Sequence, residues 1–145
     1  NSCKAELEFL NNTSSKKAGE SGTYYRLKLI NKSSVQTFNI NVNNISSKEQ
    51  LSVRSKSAST VDLSSVVTSD NRSKLKRTIK SKSANQNNNQ VTLKRNEEFI
   101  FYVRLSVPKG ARFGSVNKSI VTITSDNCTD FKISEELITE IIDGE

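Results

Sequence analysis

The sequence predicts an all-β domain, a sandwich of two antiparallel sheets, and three observations carry that expectation. The first is residues 97–108, where Phe99, Phe101, Val103, Leu105 and Val107 fall at strict i, i+2 spacing with Arg104 and Ser106 between them. Only an extended backbone puts all five apolar groups on one side. The second is residues 119–125, a β-branched run reached through a loop punctuated by Pro108, Gly110 and Gly114. The two segments read as neighbouring antiparallel strands at the centre of the domain. The third is a composition only 33% hydrophobic and dominated otherwise by Ser, Asn and Lys, which suits a thin core between sheets whose alternate residues face water.

Taken in order, Cys3, Ala5, Leu7 and Phe9 alternate with Lys4, Glu6 and Glu8, a half-buried strand with a charged outer face. Residues 11–22 (NNTSSKKAGESG) are turn chemistry throughout. A strand follows over 23–30, with Tyr25, Leu27 and Leu29 on one face and Tyr24, Arg26 and Lys28 on the other. Residues 31–34 turn the chain, and Phe38, Ile40 and Val42 then alternate with Asn39, Asn41 and Asn43. From 46 to 90 the signal weakens. Leu51 and Val53, then Val61, Leu63 and Val66, mark brief or edge strands. Residues 72–82 (RSKLKRTIKSK) fit an extended segment with Arg72, Lys74, Lys76, Lys80 and Lys82 on one face, Leu75 and Ile79 on the other, and Arg77 completing the basic set. Residues 85–90 (NQNNNQ) read as a low-complexity loop without means of burial. Over 131–142, Leu137, Ile138, Ile141 and Ile142 allow two structures: a helix capped by Ser134, or a β segment.

At 145 residues one core is expected, and no apolar run reaches the roughly 18 to 20 residues that cross a bilayer as a helix. The chain begins at Asn1 without a charged-then-apolar leader, which reads as a mature form or an excised piece. Cys3 and Cys128 stand before the first strand and after the last core strand. A disulfide between them would close nearly the whole chain, stabilise it by about 2–5 kcal/mol and imply an oxidising compartment. The alternative is two free thiols.

Nothing in the residues points to catalysis. There is no His and no Trp, neither Cys has a base beside it, and Gly-rich phosphate loops and metal-spaced Cys clusters are absent from the sequence. Glu97-Glu98 and Glu135-Glu136 point to opposite faces if extended. No catalytic, cofactor-binding or metal-binding residue is therefore assigned. Asp126, Asn127 and Asp130 could offer oxygen ligands to calcium, although a turn capped by Asx side chains is the simpler reading. Of the formal charge of +7, residues 51–90 hold eight basic and two acidic side chains, whereas 126–145 hold one basic and seven acidic. The basic segment reads either as an edge strand kept from aggregating by its lysines or as a polyanion-binding strip of Arg72, Lys74, Lys76, Arg77, Lys80 and Lys82 for acidic glycans or lipid headgroups. Without aromatic side chains in the strip, nucleic acid is disfavoured. A third reading docks the acidic end of one copy on the basic face of another. Glycosylation sequons occur at Asn11, Asn12, Asn31, Asn44, Asn71, Asn117 and Asn127.

Residues Val107-Pro108-Lys109-Gly110-Ala111, Gly114 and Thr122-Ile123-Thr124-Ser125, with the earlier Asn31-Lys32-Ser33-Ser34 and Thr37-Phe38-Asn39-Ile40, resemble the bacterial extracellular immunoglobulin-like repeat families. Arg95-Asn96 stands where those families usually carry Pro-Gly. The resemblance implies an immunoglobulin-like sandwich of about seven to nine strands spanning residues 1–128, followed by an acidic extension or linker over 129–145. It also implies a secreted or cell-surface location and a structural or adhesive role, with other domains of the same or a neighbouring surface protein as partners. Acidic glycan is the further candidate ligand, and an accessory domain of a larger secreted enzyme is the remaining alternative.

Overall fold

The computed structural model describes residues 3–10, 14–45, 60–79 and 87–143. These hold ten strands: β1 (Ala5–Phe9), β2 (Ser15–Ala18), β3 (Thr23–Asn31), β4 (Gln36–Asn44), β5 (Ser64–Thr68), β6 (Lys76–Ile79), β7 (Asn87–Leu93), β8 (Glu98–Ser106), β9 (Val116–Ser125) and β10 (Lys132–Ile141). They form a four-stranded sheet ordered β1-β3-β8-β5 and a six-stranded sheet ordered β2-β10-β9-β4-β7-β6. The predicted sandwich is present.

The strand at 97–108 is β8, and the alternation read from sequence sets its two faces: Phe99, Phe101, Val103 and Leu105 are buried while Ile100, Arg104 and Ser106 are exposed. It does not pair with β9. Its neighbours are β3 and β5, whereas β9 lies in the other sheet between β10 and β4. The two strongest strands therefore contribute to facing sheets, because each needs the apolar row of the opposite sheet as its cover. Phe38, Ile40, Val91, Leu93, Val121, Ile123, Leu137 and Ile141 supply that cover from the six-stranded side.

The segment with two readings at 131–142 is strand β10, and the boundary expected at residue 128 does not hold. β10 pairs antiparallel with β9 from Lys132↔Thr124 to Glu140↔Val116, and its inward Leu137, Thr139 and Ile141 are buried. The helix-like stripe arose because both faces of this strand carry isoleucine or leucine. β2, inside the stretch expected to be turns, pairs parallel with β10 from Ser15↔Ile138 to Ala18↔Ile141. It is held by main-chain bonds and the burial of Ala18, so no alternating apolar pattern announced it.

The middle of the chain departs furthest from expectation. Val66 falls in the edge strand β5, as read, while Leu51 and Val53 lie outside the described residues. Residues 87–90 of the Asn/Gln run form part of β7, and Asn88 and Asn89 are buried. Their amide nitrogens are partnered: Asn88 Nδ2 donates to Asn39 Oδ1 at 2.6 Å and Asn89 Nδ2 to the Ile40 carbonyl at 3.2 Å. Polar side chains can be buried when each finds a partner, which a composition-based reading does not register.

Among the described residues, several ties join the sheets. Cys3 and Cys128 form a disulfide with a Cα–Cα distance of 6.2 Å, linking the residues before β1 to the β9–β10 loop. The hydroxyl of the fully buried Tyr25 donates to the Ile138 carbonyl at 2.7 Å and lies 3.0 Å from Thr139 Oγ1. Asn31, buried at the end of β3, donates to the Leu93 carbonyl at 2.8 Å and accepts from Gln36 Nε2 at 2.9 Å. Asn96, in place of the Pro-Gly turn, adopts φ 66°, a left-handed conformation that Asn tolerates. Thr60 makes a single parallel bridge to Val116 at the start of β9, and residues 61–63 then lead to β5, pinned where Asn44 exchanges two hydrogen bonds with the Leu63 main chain and Asn117 Nδ2 donates to the Val61 carbonyl.

Gly22 turns β2 into β3 at φ 81°, and a Cβ there would strike the Leu105 carbonyl oxygen. Gly22→Ala combines a forbidden contact with an unfavourable φ and is expected to lower stability by about 2 kcal/mol or more, read as a urea midpoint shift. Tyr25→Phe leaves Ile138 and Thr139 short of a partner and is expected to cost about 1–2 kcal/mol. Burial holds the Tyr25 phenol above its usual value, so the folded state favours the neutral form. That contribution is complete below the unfolded value and is lost as pH rises from about 10. The alkaline fall should be shallower in Tyr25→Phe, and identical pH profiles for the two proteins would assign it to another group.

Candidate binding surfaces

The basic strip expected over 72–82 does not form one face. Residues 72–74 make a turn, and only Lys76–Ile79 is extended within it; Lys80 and Lys82 lie outside the described residues. The turn is built locally: Ser69 Oγ accepts from the Asn71 amide, Asn71 Oδ1 from Ser73 Oγ, and the Asn71 carbonyl from the Lys74 amide. The turn and the short strand after it divide the cations. Lys74 and Lys76 go to the outer face of the six-stranded sheet, beside a groove of about 450 Å³ that also touches Val35, Gln90 and Thr92. Arg72 and Arg77 go to the opposite side. Arg77 spans the open edge of the sandwich, donating to Asn89 Oδ1 at 3.4 Å within its own sheet and to the Val67 carbonyl at 3.2 Å in the other.

Lys74 is engaged. Its Nζ lies 2.7 Å from Glu97 Oε2 and donates to the Thr92 carbonyl. Glu97 Oε1 also accepts from the Lys94 amide at 2.9 Å. The Lys74 hydrogen bond first, and the Lys94 amide second, hold the Glu97 carboxyl below the usual carboxylate range.

Arg72 and Arg77 instead join Arg104, Tyr102, Asp70 and Ser69 around a cleft of about 290 Å³ beside β5. The cleft opens onto the outward face of the four-stranded sheet, where strand register sets two rows, Val66–Arg104–Tyr24 and Thr68–Tyr102–Arg26. Tyr24 and Tyr102 meet edge-on at a centroid distance of 5.7 Å. Arg104 lies 5.3 Å from the Tyr24 ring and 5.7 Å from Tyr102, Arg26 lies 5.7 Å from Tyr102, and Lys16 Nζ lies 4.7 Å from Tyr24. Tyr24, Arg26 and Arg104 are legible as outward positions in the sequence, but their alignment depends on the β3–β8 pairing, which local alternation does not encode.

The other candidate groups serve the fold. Asp126 accepts from Asn39 Nδ2 at 2.8 Å and Gln90 Nε2 at 3.0 Å, and Asn127 Oδ1 from the Thr37 amide at 3.0 Å. At the acidic end, Glu136 pairs with Lys118 at 3.1 Å. Of the sequon asparagines, Asn31 and Asn117 are fully buried, Asn44 is bonded to Leu63 and Asn117, Asn71 and Asn127 are exposed, and Asn11 and Asn12 lie outside the described residues. An apolar hollow of about 360 Å³ at one end of the sandwich is lined by Val107, Pro108, Phe113 and Ile142, with Phe113 58% exposed.

No protein-family model matches this chain, and no curated protein matches it in sequence. Solved structures are similar in fold. A family 123 glycoside hydrolase from Clostridium perfringens, studied for glycolipid glycan hydrolysis, aligns with 99% of this chain at a TM-score of 0.56 and 11% identity. The chain corresponds to only 28% of that enzyme's length. A non-cellulosomal cohesin from Archaeoglobus fulgidus aligns with 96% of this chain and 91% of its own at a TM-score of 0.48 and 12% identity. The apo-form Calx CBD1 domain aligns with 97% and 98% at a TM-score of 0.47 and 5% identity. The fold is an immunoglobulin-like β-sandwich. At these identities the likeness is one of fold alone.

A depressed carboxylate contributes stability above its unfolded value and loses it as pH falls. Lys74→Gln is expected to raise the Glu97 titration back toward the ordinary carboxylate range, followed by carboxyl NMR. The stability change should stay under about 1 kcal/mol because the pair is partly exposed.

Proposed function

We propose that this chain is a non-catalytic structural or adhesive module of a secreted or cell-surface protein. The observation that carries the reading is the Cys3–Cys128 bridge, which spans 125 positions and joins the two sheets. Such bonds persist in oxidising compartments. A force entering before Cys3 and leaving after Cys128 would run through the bridge, bypassing the residues between, and only β10 would be exposed to peeling from β9 and β2. The resemblance to bacterial extracellular immunoglobulin-like repeats supports the same reading. The residues that carry it occupy fitting geometry, with Ala111 N bonded to the Pro108 carbonyl and Gly110 and Gly114 at φ 83° and 87°. Partners on this reading are neighbouring domains of the same or an adjacent surface protein.

A second reading, an accessory domain of a larger secreted enzyme, is favoured by the fold match to part of the Clostridium perfringens glycoside hydrolase. Both readings place the chemistry elsewhere than in this module.

Single-molecule stretching through handles at both termini tests the proposal. Seventeen residues follow Cys128, so the oxidised protein should extend by no more than about 6 nm before rupture. After reduction an additional release of about 44 nm is expected, from the 125-position span at about 3.5 Å per residue. A full-length release without reductant would overturn the proposed force path.

A further inference from the structure

We infer that the outward face of β3 and β8, continued by the Arg72–Arg104 cleft, is a binding site for a linear polysaccharide that carries carboxylates, a uronic-acid polymer. Arg26 and Arg104 are the centre of the argument. Each guanidinium lies against a tyrosine ring, which restricts its rotamers while leaving its N–H rim available. Among the described residues neither has a hydrogen-bond acceptor, and Arg26 Nε is buried without any partner.

The charge balance specifies what would come. Lys16, Arg26, Arg104 and Arg72 outnumber the carboxylates around them: Asp70, which accepts from the Tyr102 hydroxyl at 3.0 Å, lies beside the cleft, while Glu8 and Glu98, further along the same face, are paired with Lys28 at 3.3 and 3.8 Å. The ligand is therefore anionic. The guanidinium fork matches a planar carboxylate in bidentate fashion. Arg26 and Arg104 stand on adjacent strands in diagonal positions, roughly 7–8 Å apart, so a chain with repeated carboxylates meets both at once. A protein partner fits less well, since Val66 and Ile100, 45% and 36% exposed, sit in different rows with charged residues between them. They supply no contiguous apolar patch. Nucleic acid fits less well because Arg26, Arg104 and Lys16 already lie over the tyrosine ring faces on which bases would stack.

Polygalacturonate oligomers, polyglutamate and oligodeoxythymidine serve as probes, titrated at low salt against the intact oxidised protein by calorimetry. Polygalacturonate is expected to bind best, with affinity falling steeply as salt is raised. Arg104→Gln and Arg26→Gln should each weaken it by about tenfold, the value of one charge-assisted hydrogen bond. Arg104→Lys should lose nearly as much, because the fork and not the charge alone is used. Lys74→Gln and Lys76→Gln, on the other side of the molecule, should stay within about twofold. All substituted side chains are at least partly exposed, and unchanged urea midpoints would confirm that the fold is intact. The inference is overturned by no binding of polygalacturonate at low salt, by equal or tighter binding of polyglutamate or oligodeoxythymidine, or by Lys76→Gln weakening binding as much as Arg104→Gln. The chemistry does not depend on how force passes through the module, so this test and the stretching test fail separately.

Discussion

Everything in this molecule depends on keeping two sheets face to face with little apolar material between them. With 33% of residues hydrophobic, the core consists of single inward rows, such as Phe99, Phe101, Val103 and Leu105 against Phe38, Ile40, Val121 and Ile123. Burial of that kind is non-directional and does not by itself fix how one sheet sits on the other. The covalent tie from Cys3 to Cys128, the Tyr25 hydroxyl on β10 and the Asn31 amide on β7 supply direction. Each begins at or near the β1–β3 side of the four-stranded sheet and ends on the six-stranded one. Together they set the alignment that the apolar rows then fill.

Amide side chains do much of the remaining work. Asn39 accepts from both Asn88 and Gln90 while donating to Asp126, which ties β4 to β7 and to the loop after β9. Asn44 and Asn117 hold the point where the chain leaves one sheet for the other. These networks explain how a chain so rich in Asn and Ser folds into a compact sandwich. A buried amide without a partner would be costly, but one with partners on two strands specifies register as well as contact.

The same economy shapes the surfaces. On the four-stranded sheet, arginine and tyrosine alternate both along and across the strands, so cross-strand neighbours are cation and ring. The side chains stabilise one another and stand in fixed positions without a carboxylate to neutralise Arg26 or Arg104. Several lysines are matched by carboxylates: Lys28, further along the same face, by Glu8 and Glu98, and on the other side of the molecule Lys74 and Lys118 by Glu97 and Glu136. Basic residues that look equivalent in a linear sequence thus occupy electrostatically different surroundings.

The sequence by itself determined the fold class, the strands with strict alternation and the two faces of each, because side-chain period 2 is a local consequence of extended backbone. It also marked Gly110 and Gly114 as turn residues, since glycine tolerates the positive φ that a tight loop requires. Only the tertiary structure decided which strands pair. Two apolar-faced strands such as β8 and β9 are equally able to lie side by side or in facing sheets, and the choice is made by the whole set of partners. The same holds for β10, whose stripe suits a helix until β9 and β2 offer it edges, and for β7, whose Asn run is burial-competent only beside Asn39 and Ile40. The division of the basic segment followed a turn at 72–74, and the Tyr–Arg face followed the register of β3 on β8. Both bring together residues far apart in the chain, and that information resides in contacts that no local pattern contains.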